Sequence, residues 1–136
     1  MPHRISEFLH TPDRNGLALA NRNFKPIERF LEKLRQDISQ SDESILLDRR
    51  ELLHKTAKDT YQVRYLIHDE SDVSLSLTFI LTGENADKIL FQSHQRSMPR
   101  NVAANPGQID QHVYRLNEMT DLMQVVQEKV TSHLRA

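Results

Sequence analysis

Seven histidines are the side chains of this sequence best suited to hold a metal ion or to move protons. Two imidazoles on one helix or strand can share a metal when they are spaced as His-x-His or His-x-x-x-His, and none of these histidines has that spacing. His54, His68 and His94 lie at or near the ends of predicted strands, so convergence on one rim of a sheet is the alternative. We predict separate solvent-facing histidines and no metal site.

The acidic segment 69–72 is the second group of residues with candidate chemistry. Its Asp-Glu-Ser-Asp composition is that of a calcium-binding loop, but the central glycine and the bidentate glutamate of such loops are missing. His68, Asp69 and Ser71 are of the base, orienting and nucleophile types of a hydrolase, yet no Gly-x-Ser-x-Gly motif exposes the serine. We therefore predict a solvated turn and no catalytic residue, which makes an enzyme the less favoured class.

The basic segment 94–101 is the strongest candidate for a binding site. It contains His94, Arg96 and Arg100 and no acidic residue. Arginine matches phosphate and carboxylate groups through two parallel hydrogen bonds, and Arg64 on a predicted strand would add a third guanidinium. We favour an ordinary basic loop that faces acidic residues of a neighbouring subunit. The alternative is that these four residues form an anion-binding or RNA-binding patch.

The composition excludes several classes of function. The chain has no cysteine, which excludes disulfides, thiolate zinc sites, iron–sulfur clusters and cysteine nucleophiles. Its three glycines are too scattered to form a phosphate-binding loop, so we predict no cofactor. No segment has the roughly 20 apolar residues of a transmembrane helix or the apolar core of a signal peptide. We expect a cytoplasmic protein with no membrane partner.

The charges are balanced overall but unevenly distributed. The net charge of −1, from 18 Lys and Arg against 19 Asp and Glu, argues against a dedicated DNA-binding protein. Residues 41–87 hold ten acidic and five basic side chains, whereas residues 88–109 hold three basic and none acidic. A surface divided in this way is better suited to self-association or to docking a protein partner than to binding any polyanion.

The elements that must position these residues begin with a helix predicted over 26–39. Pro26 suits the first helical position, where its missing N–H costs no hydrogen bond. An apolar stripe follows at helical spacing: Ile27, Phe30, Leu31, Leu34 and Ile38. Residues 1–23 are expected to form a flexible or loosely packed N-terminal arm, and residues 24–136 a single α+β domain.

Three segments predict an antiparallel meander. Residues 60–68 and 73–82 alternate between apolar and polar side chains, and residues 88–92 add a shorter strand. Residues 44–56 fit a helix or a strand almost equally, and we favour a fourth strand. The aromatic side chains fall on the apolar face, so the polar face lacks the stacking platform of an RNA-binding sheet.

The C-terminal segment predicts one long helix from Gln108 to the end, after a loop over 93–108. Apolar residues recur at steps of three and four: Ile109, Val113, Leu116, Met119, Met123, Val126, Val130 and Leu134. Such a helix would be about 40 Å long and would extend beyond a small sheet. Part of its stripe would then contact a second copy of the chain, through Leu116, Met119, Met123, Val126 and Val130. For Met119 and Met123, core packing is the more usual role.

Together these elements predict an α+β fold, an antiparallel β-meander of three or four strands packed on one face against an N-terminal helix and a long C-terminal helix. The absence of cofactor, metal and nucleophile motifs favours a non-catalytic binding, adaptor or chaperone-like protein that acts through protein–protein contacts as a homodimer. The alternatives are a small-ligand or enzyme pocket between sheet and helices, and RNA or anion binding through segment 94–101.

Overall fold

A five-stranded antiparallel sheet and two helices make up the structure. The computed structural model describes the backbone of residues 2–68, 73–97 and 108–135, and the side chains of residues 15–68, 74–95 and 109–134. The elements are α1 (Pro2–Ser41), β1 (Leu46–Ala57), β2 (Thr60–His68), β3 (Val73–Thr82), β4 (Lys88–Ser97), β5 (Gln108–Arg115), a short 3₁₀ helix (Leu116–Glu118) and α2 (Met119–Arg135). The predicted α+β class is confirmed, but the sheet has five strands instead of three or four.

The strands lie side by side in chain order, so that each pairs with the next. Segment 44–56 contributes strand β1, as favoured from its sequence. Strand β4 continues to Ser97 and takes in residues 93–97, which were expected to lie in a loop. It is extended because all ten residues of β3 pair with it, from Val73 opposite Ser97 to Thr82 opposite Lys88.

One face of the sheet carries the core, and the alternation predicted for β2 and β3 is confirmed. Their inward-facing side chains are buried: Tyr61, Val63, Tyr65, Ile67, Leu75, Leu77, Phe79 and Leu81. Ile89 and Phe91 on β4 and Tyr114 on β5 continue the same layer. We call this the inner face and the opposite side of the sheet the outer face.

Helix α1 covers the inner face and is longer than the predicted helix over 26–39. It begins at Pro2, so Pro26 lies inside the helix and not at its first position. Ala20 and Phe24 are fully buried, and the Phe24 ring packs at 5.4 Å from the Phe79 ring. Part of the segment predicted as an arm is therefore helical and packed on the sheet, while the division into an arm and a domain stays a prediction.

Gly16 provides a stability test of this packing. A Cβ at Gly16 would overlap the hydroxyl oxygen of Tyr61, which is buried. In a helix interior Gly→Ala ordinarily gains about 1 kcal/mol, but overpacking a buried site costs about 1–3 kcal/mol. We expect Gly16→Ala to lower the free energy of unfolding, and to do so much less in a Tyr61→Phe background. Urea denaturation of the four proteins checks this, and an equal loss in both backgrounds would contradict it.

The C-terminal segment differs most from its prediction. Residues 108–115 form strand β5, and the helix starts at Met119 after a 3₁₀ turn. The single helix predicted from Gln108 is therefore wrong over its first third. Ile109 and Val113 share a face in either structure, because four residues is one helical turn and also an even number of strand steps. Helix α2 completes the layer over the inner face with Leu122, Val126 and Val130 buried.

Two kinds of feature, a membrane-spanning helix and a metal-holding cluster, are not found in the part of the chain that the structure describes. Among the described residues, no helix is both long enough and apolar enough to span a membrane. Nor do any three His, Asp or Glu side chains within that part of the chain lie close enough together to hold a metal ion.

Candidate functional site

The outer face of the sheet is a surface that the described helices leave open. Both helices bury their stripes against the inner face. The apolar side chains at outward positions of β2 to β5 are Leu66, Ile80, Leu90, Ile109 and Val113. Ile80, Leu90 and Val113 are direct cross-strand neighbours, which joins them into one patch. Val113 remains 52% exposed and Ile109 59%, so the patch widens towards the β5 edge.

The same face is cationic. Arg64, Lys88, Arg96 and Arg115 occupy outward positions of β2 to β5, and none of the outward positions on these four strands is acidic. Lys88 lies directly opposite Arg115 in the β4–β5 register. Like charges directly opposite each other destabilise a strand pair. No carboxylate of the described residues lies within 4.0 Å of either side-chain cation, so this repulsion is not relieved by a local ion pair.

Arg64 is already engaged at the β1 side of the face. Its Nη2 lies 3.4 Å from Glu51 Oε1 on β1. Gln62 donates a hydrogen bond of 3.1 Å to the other carboxylate oxygen of Glu51. The cations of the outer face that form no ion pair among the described residues therefore lie at its β4–β5 side, where the Glu118 carboxylate accepts a hydrogen bond of 3.0 Å from the Arg115 backbone N–H.

The basic cluster predicted from the sequence is only partly assembled. Arg64 and His94 share the outer face, but they lie on β2 and β4, about 10 Å apart across the sheet at the usual strand spacing. Arg96 occupies an outward position opposite Ser74, and its side chain lies outside the described residues, as does all of Arg100.

The strand histidines do not converge on one rim. His54 pairs with Gln62 towards one end of β2, and His68 ends the same strand. His94 lies within β4, opposite Ser76.

A polar groove of about 440 Å³ runs between α1 and the start of β1. Its floor contains Leu31, Leu47 and Tyr65, and its walls carry charged residues of both elements. The carboxylates of the groove face cations of the same protein: Glu28 lies 3.8 Å from Lys25, and Glu32 accepts hydrogen bonds from Arg35. The hydrogen bond from Arg35 lowers the pKa of the exposed Glu32 carboxyl below its ordinary value.

Arg49 and Tyr65 form the buried end of this groove. The Arg49 guanidinium stands 5.7 Å from the centre of the Tyr65 ring, and its Nη1 lies 3.9 Å from Glu28 Oε1. Burial raises the pKa of the Tyr65 phenol, against the opposing effect of Arg49. Arg49 Nε is buried and has no hydrogen-bond partner among the described residues. The groove has room for a small polar molecule, but most of its charges already compensate one another.

The side chains predicted to form a dimer interface are divided between core and surface. Val126 and Val130 are 0% and 1% exposed and pack inside their own chain. Met119 and Met123 are half-buried against the same core, and Leu116 is 36% exposed. In this conformation the two valines offer no surface to a second copy, because the apolar stripe of α2 packs against the core of its own chain. A role for Leu116, Met119 and Met123 at an interface stays a prediction.

Sequence reasoning missed the features that now mark the outer face. The helix predicted over 108–115 does not place Arg115 opposite Lys88, so the sequence does not reveal this pair. Apolar and polar side chains do not separate between the two faces of residues 109–115, so no local signal in the sequence indicates this strand. No family model, curated protein or solved structure matches the chain.

Proposed function

We propose that the protein is a non-catalytic adaptor or chaperone-like module that binds an acidic, partly apolar segment of another protein on its outer face. The observation that supports this function is the combination of an uncovered apolar patch with cations, and with no acidic residue at the outward positions of β2 to β5. The apolar patch and the cations each indicate the chemistry of the partner.

The apolar half comes from Ile80, Leu90 and Val113. Contiguous exposed apolar patches with a polar rim mark protein interaction sites, whereas single exposed apolar residues do not. Covering these neighbours removes apolar area from water at about 25 cal/mol per Å². A partner therefore needs apolar side chains that fit between the strands' outward rows.

The charged half comes from Lys88 and Arg115. A carboxylate placed between two directly opposed cations relieves their repulsion and gains two charge-assisted hydrogen bonds. Such groups at the rim of an interface increase the association rate and favour partners of the opposite sign. Acidic residues in the partner segment follow from this arrangement.

A protein partner fits this face better than a nucleic acid. Single-stranded RNA is held on sheet surfaces by stacking bases on aromatic side chains. No Phe, Tyr or Trp occupies an outward position of β2 to β5, and the sheet aromatics Tyr61, Tyr65, Phe79, Phe91 and Tyr114 are buried on the inner face. RNA binding is therefore the competing outcome of the test.

Labelled model ligands test the proposal with the full chain. The first peptide has leucine and glutamate at alternate odd positions and serine at every even position, so that the leucine and glutamate side chains share one side of an extended chain. The second peptide has lysine in place of glutamate. The third probe is oligouridylate. Fluorescence anisotropy should show salt-dependent binding of the acidic peptide. Lys88→Glu with Arg115→Glu should weaken it about tenfold, or about 1.4 kcal/mol.

The matched control is Arg22→Glu with Lys33→Glu, which makes the same charge change at two exposed positions of α1. It should leave the affinity for the acidic peptide unchanged. Equal loss in both double variants, or tighter binding of oligouridylate than of the acidic peptide, would refute the proposed partner.

A further inference from the structure

We propose that two copies of the chain pair their β5 strands antiparallel across a two-fold axis at Gln111, which joins the two sheets into one. This homodimer goes beyond the proposed function, because it uses the strand edge and leaves the outer face open. It also differs from the dimer predicted through the helix stripe.

The two edges of the sheet are protected very differently. Strand β1 has register irregularities at three places in its pairing with β2, and it is rich in charge, with Asp48, Arg49, Arg50, Glu51 and Lys55. Bulges and charged side chains are the usual devices by which proteins prevent an edge strand from pairing with another chain. The β1 edge is therefore unsuited to pairing.

Strand β5 has fewer of these devices: its charged side chains are Asp110, which is paired with Lys129, and Arg115 at its end. It pairs with β4 without a register shift, from Lys88 opposite Arg115 to Gln95 opposite Gln108. No described strand pairs with its other edge, and Ile109 and Val113 are more than half exposed there. A regular edge of this kind presents unpaired backbone N–H and C=O groups to a further strand.

The sequence of β5 is self-complementary in one register. Residues directly opposite in an antiparallel pair point to the same face, so a symmetric pair must be centred on a residue. With Gln111 at the centre, Ile109 faces Val113 of the second copy on the outer face. On the inner face, Asp110 faces His112 of the second copy. Each of these pairs occurs twice because of the symmetry.

The competing register is centred on His112 and is less favourable. It would place Arg115 opposite Ile109 and Tyr114 opposite Asp110 of the second copy, and the two His112 side chains opposite each other. Apolar contacts and hydrogen bonds between directly opposite side chains stabilise a strand pair. The Gln111 register gains two Ile109–Val113 contacts and two Asp110–His112 hydrogen bonds, whereas the His112 register gains none of these.

The surroundings of the edge are compatible with a second copy. A half-open cavity of about 150 Å³ lies between β5 and α2, lined partly by His112, Val125 and Lys129. Lys129 forms an ion pair with Asp110. The remaining carboxylate oxygen of Asp110 can accept a hydrogen bond from His112 of the second copy. A neighbouring α2 would cover the half-buried Val125.

Single cysteines test the register, because the chain has none of its own. A disulfide needs Cα atoms within about 7 Å. Gln111→Cys should therefore cross-link with itself under mild oxidation. Ile109→Cys and Val113→Cys should each fail alone, since each lies about 13 Å from its own symmetry mate. An equal mixture of these two proteins should cross-link. Leu52→Cys, 72% exposed on β1, sets the background rate of random collision.

Light scattering of the unmodified chain at micromolar concentration accompanies the cross-linking. A dimer mass together with cross-linking of Gln111→Cys and of the mixture supports the inference. A monomer mass, or cross-linking no faster than that of Leu52→Cys, overturns it, and preferential cross-linking of His112→Cys overturns the register. Because the peptide-binding assay needs no dimer, failure here and failure of the proposed function are distinguishable.

Discussion

Phe79→Ala should lower the free energy of unfolding by about 3–5 kcal/mol, the range for truncating a buried phenylalanine. Phe79 lies in the central strand and is fully buried. Its ring stacks 5.1 Å from Phe91, meets Tyr65 edge-on at 6.2 Å and contacts Phe24 of α1 at 5.4 Å. Truncation opens a cavity where β2, β3, β4 and α1 meet, and no single neighbour can fill it.

The matched control for this prediction is Ile80→Ala, one residue further along β3. Ile80 points to the outer face and is only half-buried, so its truncation should cost less than about 1.5 kcal/mol. Guanidinium denaturation followed by circular dichroism measures both losses at constant m-value. Similar losses for the two variants would mean that the outer face is packed as tightly as the inner one.

The sequence was most informative where one periodicity excluded the other. In β3, Leu75, Leu77, Phe79 and Leu81 alternate with small polar residues, a pattern that no helix would place on one face. Such a strand pattern also fixes the register, because a slip of one residue would expose the whole apolar set. The existence and the orientation of the meander could therefore be predicted.

Strand β5 could not be predicted correctly, because its apolar residues satisfy both periodicities. Ile109 and Val113 extend the stripe of α2 at a spacing that a strand also permits. Pairing with β4 decided between them, since it buries Tyr114 and supplies the β4 backbone with hydrogen-bond partners. Such pairing joins residues that are distant in the chain, and local sequence does not show it.

The candidate site depends on the same long-range information. Lys88 and Arg115 lie opposite each other only because of the β4–β5 register, so the sequence alone does not indicate that they form a pair. The predicted basic segment identified the right strand, β4, but it grouped neighbours in sequence instead of neighbours across the sheet. The groove beside Arg49 likewise appears only when α1 packs beside β1.

Val126→Asp should destabilise the monomer by about 4 kcal/mol or more. Val126 is fully buried in α2, so an aspartate there is removed from water, and Lys129, one turn away, is already paired with Asp110. Gln124→Asp is the matched control, since the same residue type enters the same helix at an exposed position. It should change the stability by less than about 1 kcal/mol.

The pH dependence separates a buried core position from a dimer interface. Burial raises the pKa of the introduced Asp carboxyl in the folded state above its unfolded value. The loss of stability should therefore be largest above the folded-state pKa and shrink as the pH falls towards the unfolded one. If Val126 instead faced a second copy, the variant would keep its monomer stability and lose a concentration-dependent part of its melting temperature. Melting curves at two pH values and two protein concentrations distinguish these results. Because Val126 is buried in its own chain, we expect the pH-dependent loss of monomer stability.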